Sequence, residues 1–283
     1  MIEIADRLFV ETGFSGVNVG ALVTDDALIT IDAPTYPNDA RYWSATIEKL
    51  FPGRMQFSVL TDLCPDRALN ARWMRAPIVA HQLTAEKLLL FDKRFPQEFI
   101  ENLYRRYPDT AREVSISPVQ RPAISFSERF ELHTDIYDII FLYKPGPTPG
   151  NLWIYIPDAK VIFSGDTVVC GTFPPLSEMI SQAWLNTLES LQSTEFVDCL
   201  LVPGRGEVTD TTSRYNMIEL ISEIQHVVIE HIRSEKPRAE LAKRSGDFLH
   251  FFYIDDSSHD WVIHEITAGL KRVYDELSDN ALL

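Results

Sequence analysis

The chain has 283 residues, of which 45% are hydrophobic and 11% aromatic, and its 41 acidic residues outnumber its 26 lysines and arginines, for a net charge of −15. Such a chain can bury enough apolar surface to offset its conformational entropy, which excludes a disordered protein. An acidic surface repels phosphate, which argues against broad nucleic-acid binding. We expect one large domain or two ordinary ones.

The amino-terminal sequence and the cysteines favour a cytoplasmic location. The first residues, MIEIADRLFVE, lack the basic and apolar regions of a signal peptide. No segment reaches the ~18 consecutive apolar residues that a transmembrane helix needs. The three cysteines, Cys64, Cys170 and Cys199, are odd in number and form no CxxC pair, which favours neither a disulfide framework nor a zinc knuckle.

Strands and helices alternate at the start of the sequence. Their positions follow from β-rich runs bounded by turn residues and from apolar residues at helical spacing. In chain order, the pattern predicts strands over 17–23 and 27–31, a helix over 38–51, a strand over 56–60, a polar loop over 61–67, a strand over 78–81 and a helix that begins near Thr84.

Residues 86–122 differ from their surroundings, since they are aromatic-rich, mainly helical and end in a proline-punctuated loop. We interpret them as a lid-like insertion rather than a separate domain. Phe91, Phe95, Phe99 and Tyr104 lie in this insertion at helical spacing. Two interpretations are open for these rings, namely simple packing and the lining of a pocket mouth.

The remaining sequence is β-rich to about residue 202 and helical from about residue 212. The pattern predicts strands over 123–126, 129–133, 137–143, 151–156, 160–163 and 197–202, and helices over 181–192, 215–232, 237–244 and 261–277. Two successive β-rich halves with attached helices predict an α/β layered sandwich. We therefore predict one domain over 1–211 and a C-terminal helical extension, 212–283, that packs on it.

Four short segments follow one another in a recognisable order. They are Asn18–Val23 with Leu28–Asp32, Val59–Arg67, Pro147–Gly150 with Phe163–Asp166, and Val202–Gly206. Their order and separations resemble those of the metallo-β-lactamase superfamily, which has an opening hairpin, a T-H-x-H-x-D-H loop, an H-T-P-G and F-x-G-D pair, and a V-P-G-H-G segment. The resemblance implies a four-layer αβ/βα sandwich, here with the C-terminal helical extension.

The resemblance also implies a site for two zinc or iron ions, whose imidazole and carboxylate ligands position an activated water. The sequence departs from the family at five of the seven ligand positions. The matched positions, which we predict to be a vestigial active site, are Asp62, Cys64, Asp66, Arg67, Pro147, Asp166 and Arg205. Only Asp66 and Asp166 are retained, and the chain's seven histidines fall outside the ligand motifs. We therefore predict no bound metal, no other cofactor and no catalytic residue.

Two of the replacements are cationic. Arg67 and Arg205 are permanently charged and repel a metal ion. Without a metal, Asp62, Asp66 and Asp166 would repel one another in one pocket. We predict that the two guanidinium groups pair with these carboxylates in place of the lost cations. The alternative is that either arginine simply reaches solvent.

Cys64 has two interpretations. A thiol beside Arg67 could have a lowered pKa and act as a nucleophile or a soft-metal ligand. No histidine accompanies it in its loop to serve as a base, which favours a small buried residue in the space of an imidazole. A single-metal site formed by Asp62, Cys64, Asp66 and Asp166 is a further alternative, which the two arginines oppose.

The sequence leaves three functions open. It favours a protein that has lost metal-dependent hydrolysis and is retained for ligand binding or scaffolding, because function resides in the site rather than the fold. The alternatives are a single-metal hydrolase of small esters, thioesters or lactones, and a metal-free enzyme that uses Cys64 or the Asp–Arg cluster. The expected partner is a small molecule, a protein or a second copy of the chain, rather than nucleic acid or a membrane.

Overall fold

The computed structural model describes residues 1–106, 118–254, 256 and 258–280, and these residues form two facing β-sheets with helices on the outer faces. The first sheet has the order β1-β2-β3-β4-β5-β6-β7, antiparallel from β1 to β4 and parallel from β4 to β7. Its strands are Ile2–Ala5, Leu8–Glu11, Val19–Val23, Ala27–Ile31, Met55–Val59, Ile78–His81 and Ile124–Phe126.

The second sheet has the order β13-β12-β11-β10-β9-β8, and only its β11–β12 pair is parallel. Its strands, from β8 to β13, are Arg129–His133, Asp138–Tyr143, Leu152–Ile156, Val161–Phe163, Leu200–Val202 and Thr209–Asp210. Apolar side chains from both sheets, such as Leu22, Ile31, Phe141 and Ile154, pack into one core between them. Burial of this shared core is the main force that holds the sheets together.

Helices cover the outer face of each sheet. They are α1 (Pro37–Leu50), α2 (Pro65–Ala68), α3 (Gln82–Leu90), α4 (Gln97–Arg106), α5 (Ser181–Ser190), α6 (Arg214–Arg233) and α7 (His259–Asn280), with longer 3-10 segments at Ala71–Met74 and Arg238–Phe248. Trp43 of α1 packs on the first sheet, while α5, α6 and α7 bury residues such as Trp184, Leu220 and Ile266 against the second. The predicted four-layer αβ/βα sandwich with C-terminal helices is thereby confirmed.

The C-terminal helix α7 is joined to the strand-bearing part of the chain by two carboxylates. Glu265 accepts hydrogen bonds from the backbone nitrogens of Leu176 and Ser177 at 2.8 and 2.9 Å. Glu276 accepts from the backbone nitrogens of Ser181 and Gln182, which open α5. A carboxylate at a helix N-terminus satisfies orphan donors and matches the helix dipole. These contacts support the proposal that residues 212–283 pack on the same domain.

Several predicted elements differ in detail from the observed ones. The 61–67 segment, predicted as a loop, contains the first three residues of α2, because Pro65 is well suited to the first position of a helix. The strand predicted from residue 197 begins only at Leu200, and Val197 is exposed. Residues 238–248 form a 3-10 rather than an α-helix. The four-residue strands β1 and β2 were not predicted, because so short a run carries little periodic signal.

The insertion over 86–122 is described only in part, since residues 107–117 and the Tyr104 side chain lie outside the described residues. Phe95 and Phe99 stack on each other, Phe91 contacts both rings edge-to-face, and the three pack into an apolar cluster under α2 and α4. Packing therefore applies to all three rings, and Phe99 also lines a small cavity beside Cys64. Among the described residues, no helix is long and apolar enough to cross a membrane.

Candidate functional site

The predicted site residues lie at one end of the sandwich, where parallel strands of both sheets terminate. Strands β4 and β5 end level with each other and are followed by Asp32 and Asp62. Strands β11 and β12 likewise end level and lead to Asp166 and Arg205. The carboxyl ends of parallel strands are the usual location of α/β sites, and here they bring four charged side chains together.

Arg67, at the short helix α2, lies between carboxylates from both sheets. Its Nη1 and Nη2 donate to Oδ2 and Oδ1 of Asp166 at 2.9 and 2.7 Å, which is a bidentate pair. Its Nε donates to Asp32 Oδ2 at 2.8 Å, and Nη1 reaches Asp62 Oδ1 at 3.3 Å. The side chain is fully buried. One guanidinium group therefore joins the two sheets by ion pairs.

Arg205 bridges two further carboxylates. Its Nη1 donates to Asp66 Oδ2 at 2.6 Å, and its Nη2 donates to Asp166 Oδ2 at 3.1 Å. The same Nη2 lies 3.5 Å from Cys64 Sγ. The prediction that both arginines pair with the aspartates is confirmed, and the alternative in which either reaches solvent is wrong, because Arg67 and Arg205 are 0% and 1% exposed.

The cluster contains two members that the sequence analysis did not identify. Asp32 pairs with Arg67 and also accepts from the Thr61 backbone nitrogen and hydroxyl at 2.9 and 2.7 Å. Arg106, the last residue of α4, lies 3.4 Å from Asp66 Oδ2 and stacks 3.9 Å from the Trp261 ring centroid. The position of Asp32 directly after a buried strand was a usable signal, whereas Arg106 lies in the insertion and no motif marked it.

Four carboxylates thus face three guanidinium groups in a water-poor interior. Burial alone would raise the pKa of Asp166, but Arg205 and Arg67 outweigh it and hold the pKa well below its usual range. Burial likewise opposes the charge on Arg67, yet the surrounding aspartates raise the pKa of its guanidinium group well above the ordinary value. Asp166 and Arg67 are therefore ionised throughout the physiological range.

Asp62 differs from Asp166, because its surroundings favour the protonated carboxyl group. Burial raises its pKa to about 6, with Arg67 opposing and the charges of Asp166 and Asp32 adding to the rise. Its Oδ1 accepts from the Cys64 backbone nitrogen at 2.7 Å, while its Oδ2 is buried without a hydrogen-bond partner among the described residues. A proton on Asp62 would leave three carboxylates facing three guanidinium groups, which balances the charge of the cluster.

We expect Asp62→Asn to become stabilising relative to wild type as the pH rises. The pKa of Asp62 is about 6 in the fold and 3.8 ordinarily, so the stability that it contributes is full below pH 3.8 and is lost as the pH rises through 6. In urea unfolding, the free energy of unfolding of the variant relative to wild type should rise by up to about 3 kcal/mol between about pH 4 and about pH 8. The exposed Asp26→Asn is the control. An Asp62→Asn difference that stays constant with pH would contradict this assignment.

Close backbone approach lets the two sheets meet at the cluster. A Cβ on Gly204 would contact Asp166 Oδ1 and would lie 2.5 Å from Arg67 Nη2. Gly165 adopts a φ of +54°, which a side chain tolerates poorly. The Gly204 nitrogen donates to the carbonyl oxygens of Gly165 and Val168 at 2.7 and 3.1 Å. Gly204 therefore leaves room for the guanidinium group of Arg67, and Gly165 leaves room for the side chains of Asn151 and Thr61.

The residues present do not fit the dinuclear metal centre that the fold implies. The space between the carboxylates is filled by a guanidinium group, and both oxygens of Asp166 accept hydrogen bonds from arginine. Pro147 offers no donor. Across residues 1–106, 118–254, 256 and 258–280, no group of three or more His, Cys, Asp or Glu side chains is arranged to hold a metal ion.

A small cavity remains above the cluster. Its volume is about 50 Å³, enough for a water molecule or two but well below the roughly 300 Å³ at which small-molecule pockets begin. Phe99, which extends from α4, and Pro175, from the loop after Asp166, narrow it. The residues that line it are Leu63, Cys64, Pro65, Phe99, Pro147, Thr148, Pro175, Ser177 and Glu178.

Cys64 is a poor nucleophile in this setting. Burial raises the pKa of its thiol well above the ordinary value, and the charge of Asp66 adds to the rise while Arg205 opposes it. The thiolate is the reactive form of cysteine, so the geometry favours the interpretation of Cys64 as a small buried residue. Cys199 is also buried, and Cys170 is partly buried.

Comparison with known proteins supports the fold. The family model for the metallo-β-lactamase superfamily matches residues 71–204. The matched region contains Pro147 and Asp166 but leaves out the 62–67 loop and Arg205, where most of the ligand replacements lie. No protein among those with curated descriptions matches the sequence.

Solved structures extend the likeness to nearly the whole chain. The stereoselective inverting sec-alkylsulfatase Pisa1 from Pseudomonas sp. superposes with a TM-score of 0.71 at 14% identity over 96% of this chain, which spans about half (49%) of that protein. A metallo-beta-lactamase family protein from Thermus thermophilus superposes with a TM-score of 0.67 at 16% identity, covering 97% of this chain and 95% of its own. A metallo-beta-lactamase from Pontibacter korlensis gives 0.59 at 15% identity, over 78% and 97%.

The chain therefore has the metallo-β-lactamase fold, and the resemblance to the superfamily that its motifs predicted is confirmed. At identities of 14 to 16%, the solved structures establish the fold alone. Within that fold, the chain carries an arginine–aspartate cluster formed by the residues for which the motif resemblance predicts a vestigial metal site.

Proposed function

We propose that this protein is a non-hydrolytic member of the metallo-β-lactamase fold that acts by binding a small molecule or a protein, or as a scaffold. In this proposal the former metal centre is an ionic core element. Its aspartates and arginines stabilise the joint between the two sheets and do not activate water.

The position of the Arg67 guanidinium group carries the proposal. It contacts Asp32, Asp62 and Asp166 from within the space that a metal would need, and it is fully buried. Expelling it to admit a cation would leave a buried positive charge unpaired or would require α2 to move. Breaking a buried ion pair costs about 3 to 5 kcal/mol, so metal entry would have to offset that cost.

The shape of the former active site also supports a binding role located elsewhere. The cavity of about 50 Å³ above Cys64 is too small for an ester or lactone substrate and its attacking water. Phe99 of α4 closes one side, and Arg106 ties the end of α4 to Trp261 of α7. In this proposal, the binding surface for a partner therefore lies on the outside of the sandwich and not in this cavity.

The single-metal hydrolase is disfavoured by the same contacts. Of its four proposed ligands, Asp66 and Asp166 already accept from arginines, and Cys64 Sγ lies beside Arg205. Among the buried oxygens of these carboxylates, Asp62 Oδ2 lacks a hydrogen-bond partner among the described residues. With Asp66 and Asp166 paired to arginines, fewer than three of the four groups are left to ligate, whereas catalytic zinc uses three protein ligands.

Hydrolysis assays test the proposal. The full chain would be incubated with ester, thioester and lactone substrates after exposure to zinc, manganese or ferrous iron, and compared with Asp166→Asn under the same conditions. The proposal expects both proteins to match the buffer rate. Metal-dependent turnover by the wild type that disappears in Asp166→Asn would overturn it and restore the hydrolase alternative.

A further inference from the structure

A second charged feature lies on the outer side of the first sheet, where α1 packs against the 3-10 helix Ala71–Met74. The guanidinium carbon of Arg41 lies 4.9 Å from the centroid of the Trp73 ring, and that of Arg72 lies 4.8 Å from it. Two cations thus share one indole ring. Cation–π contact stabilises each arginine, but two neighbouring cations also repel each other.

Two donors of this group lack acceptors. Arg72 Nε and Trp73 Nε1 are buried atoms without a hydrogen-bond partner among the described residues. Within the described part of the chain, no carboxylate lies within 4.0 Å of the guanidinium nitrogens of Arg41, Arg72 or Arg75. Burial and the charge of Arg41 lower the pKa of Arg72. In a protein of net charge −15, three arginines without an ion-pair partner form an unusual local excess of positive charge.

A groove of about 390 Å³ lies along α1 close to this group, and its lining includes Ser44 and Arg75 but not Arg41, Arg72 or Trp73. Ser44 and Glu48 follow Arg41 at spacings of three and seven residues, so the three side chains share one face of the helix. The volume lies within the range of small-molecule pockets. The groove is lined by Ser44, Glu48, Arg54, Gln56, Arg75 and Pro77, and Glu48 is the only acidic member of that lining.

We propose that Arg41, Arg72 and Trp73 bind the phosphate group of a small phosphorylated ligand, the rest of which lies in the adjacent groove. Guanidinium groups hold phosphate by paired charge-assisted hydrogen bonds, and the Trp73 ring supports both guanidinium groups by cation–π contact. A bound dianion would relieve the repulsion between the two arginines. The site shares no residue with the buried cluster, so it does not depend on the function proposed above.

Binding of defined probes tests the site. Inorganic phosphate and phenyl phosphate would be titrated into the full chain by calorimetry and followed by tryptophan fluorescence, with phenol as the unphosphorylated control. Trp73 is the one partly exposed residue of the chain's five tryptophans, the others being buried at Trp43, Trp153, Trp184 and Trp261. We expect saturable binding of both phosphates, a fluorescence change, tighter binding of phenyl phosphate than of inorganic phosphate, and no effect of phenol.

Two variants distinguish phosphate binding at this site from a general electrostatic attraction of phosphate to the protein. Arg72→Gln should weaken phenyl phosphate binding by at least about tenfold, since it removes a charge-assisted bond. Arg233→Gln removes an arginine at the end of α6, remote from the groove, and should leave the dissociation constant unchanged. Equal weakening by both variants, absence of saturable binding, or binding of a short oligonucleotide but of neither phosphate would overturn the proposal.

Discussion

Replacement of Arg67 by Met is expected to lower the free energy of unfolding by about 3 to 5 kcal/mol at neutral pH, because it leaves buried carboxylates without their cation. Arg67 is fully buried and donates to Asp32, Asp62 and Asp166. Methionine has a volume similar to that of arginine, so the lost stability reflects the missing charge rather than poorer packing. Equilibrium unfolding in urea measures it.

Two further variants make the Arg67 result specific. The exposed ion pair of Arg129 and Glu131 provides the control, and Arg129→Met should cost no more than about 1 kcal/mol. Adding Asp166→Asn to Arg67→Met should recover part of the loss, because it removes one of the carboxylates left unpaired. An Arg67→Met protein as stable as wild type, or a double variant less stable than the single one, would contradict the role assigned to this arginine.

Gly204→Ala is expected to lower the free energy of unfolding about as much as Arg67→Met does, by roughly 3 kcal/mol or more. The added methyl group would press on Asp166 Oδ1 and lie 2.5 Å from Arg67 Nη2 and 2.7 Å from the backbone carbon of Gly165. Backbone on one side and a bidentate ion pair on the other leave no flexible group to yield. The substitution therefore either separates Asp166 from Arg67 or moves the 203–206 segment. Asn18 Nδ2 holds that segment by donating to the carbonyl oxygens of Pro203 and Gly206.

Gly246 provides a matched control for Gly204. Neither glycine has a positive φ, and a Cβ on Gly246 would meet no atom within 4 Å. Gly246→Ala should therefore be neutral or slightly stabilising, since alanine has lower conformational entropy in the unfolded chain. Thermal unfolding of the two variants in parallel gives the comparison, and similar melting temperatures for both would show that the cluster does not depend on close packing at Gly204.

Much of the fold was predictable because it depends on the pattern of apolar and polar residues along the chain. The apolar runs that became β3, β4, β9 and β10 are long enough to show β-rich character, and α1 has a clear apolar face around Trp43. Short elements were less predictable. The strands β1 and β2 have four residues each, and α2 was hidden by its proline and polar residues.

The sequence predicted the site residues whose positions a motif fixed, but it missed the others. Arg67 and Arg205 stand where the motif resemblance predicts histidines, so charge counting predicted that they pair with two of the three carboxylates of Asp62, Asp66 and Asp166. Arg106 joins the cluster only through the packing of α4 against α2 and α7, which sequence spacing does not encode. The small size of the cavity also depends on tertiary packing, since Phe99 and Pro175 come from separate segments.

The central claim is that guanidinium groups occupy the place of the metal ions. Elemental analysis of the full chain, expressed with zinc, iron and manganese available and purified without chelators, tests it most directly. The arginine–aspartate cluster predicts metal far below one equivalent and an unfolding temperature unchanged by a chelator. Stoichiometric metal that is lost in Asp66→Asn and Asp166→Asn would contradict the claim.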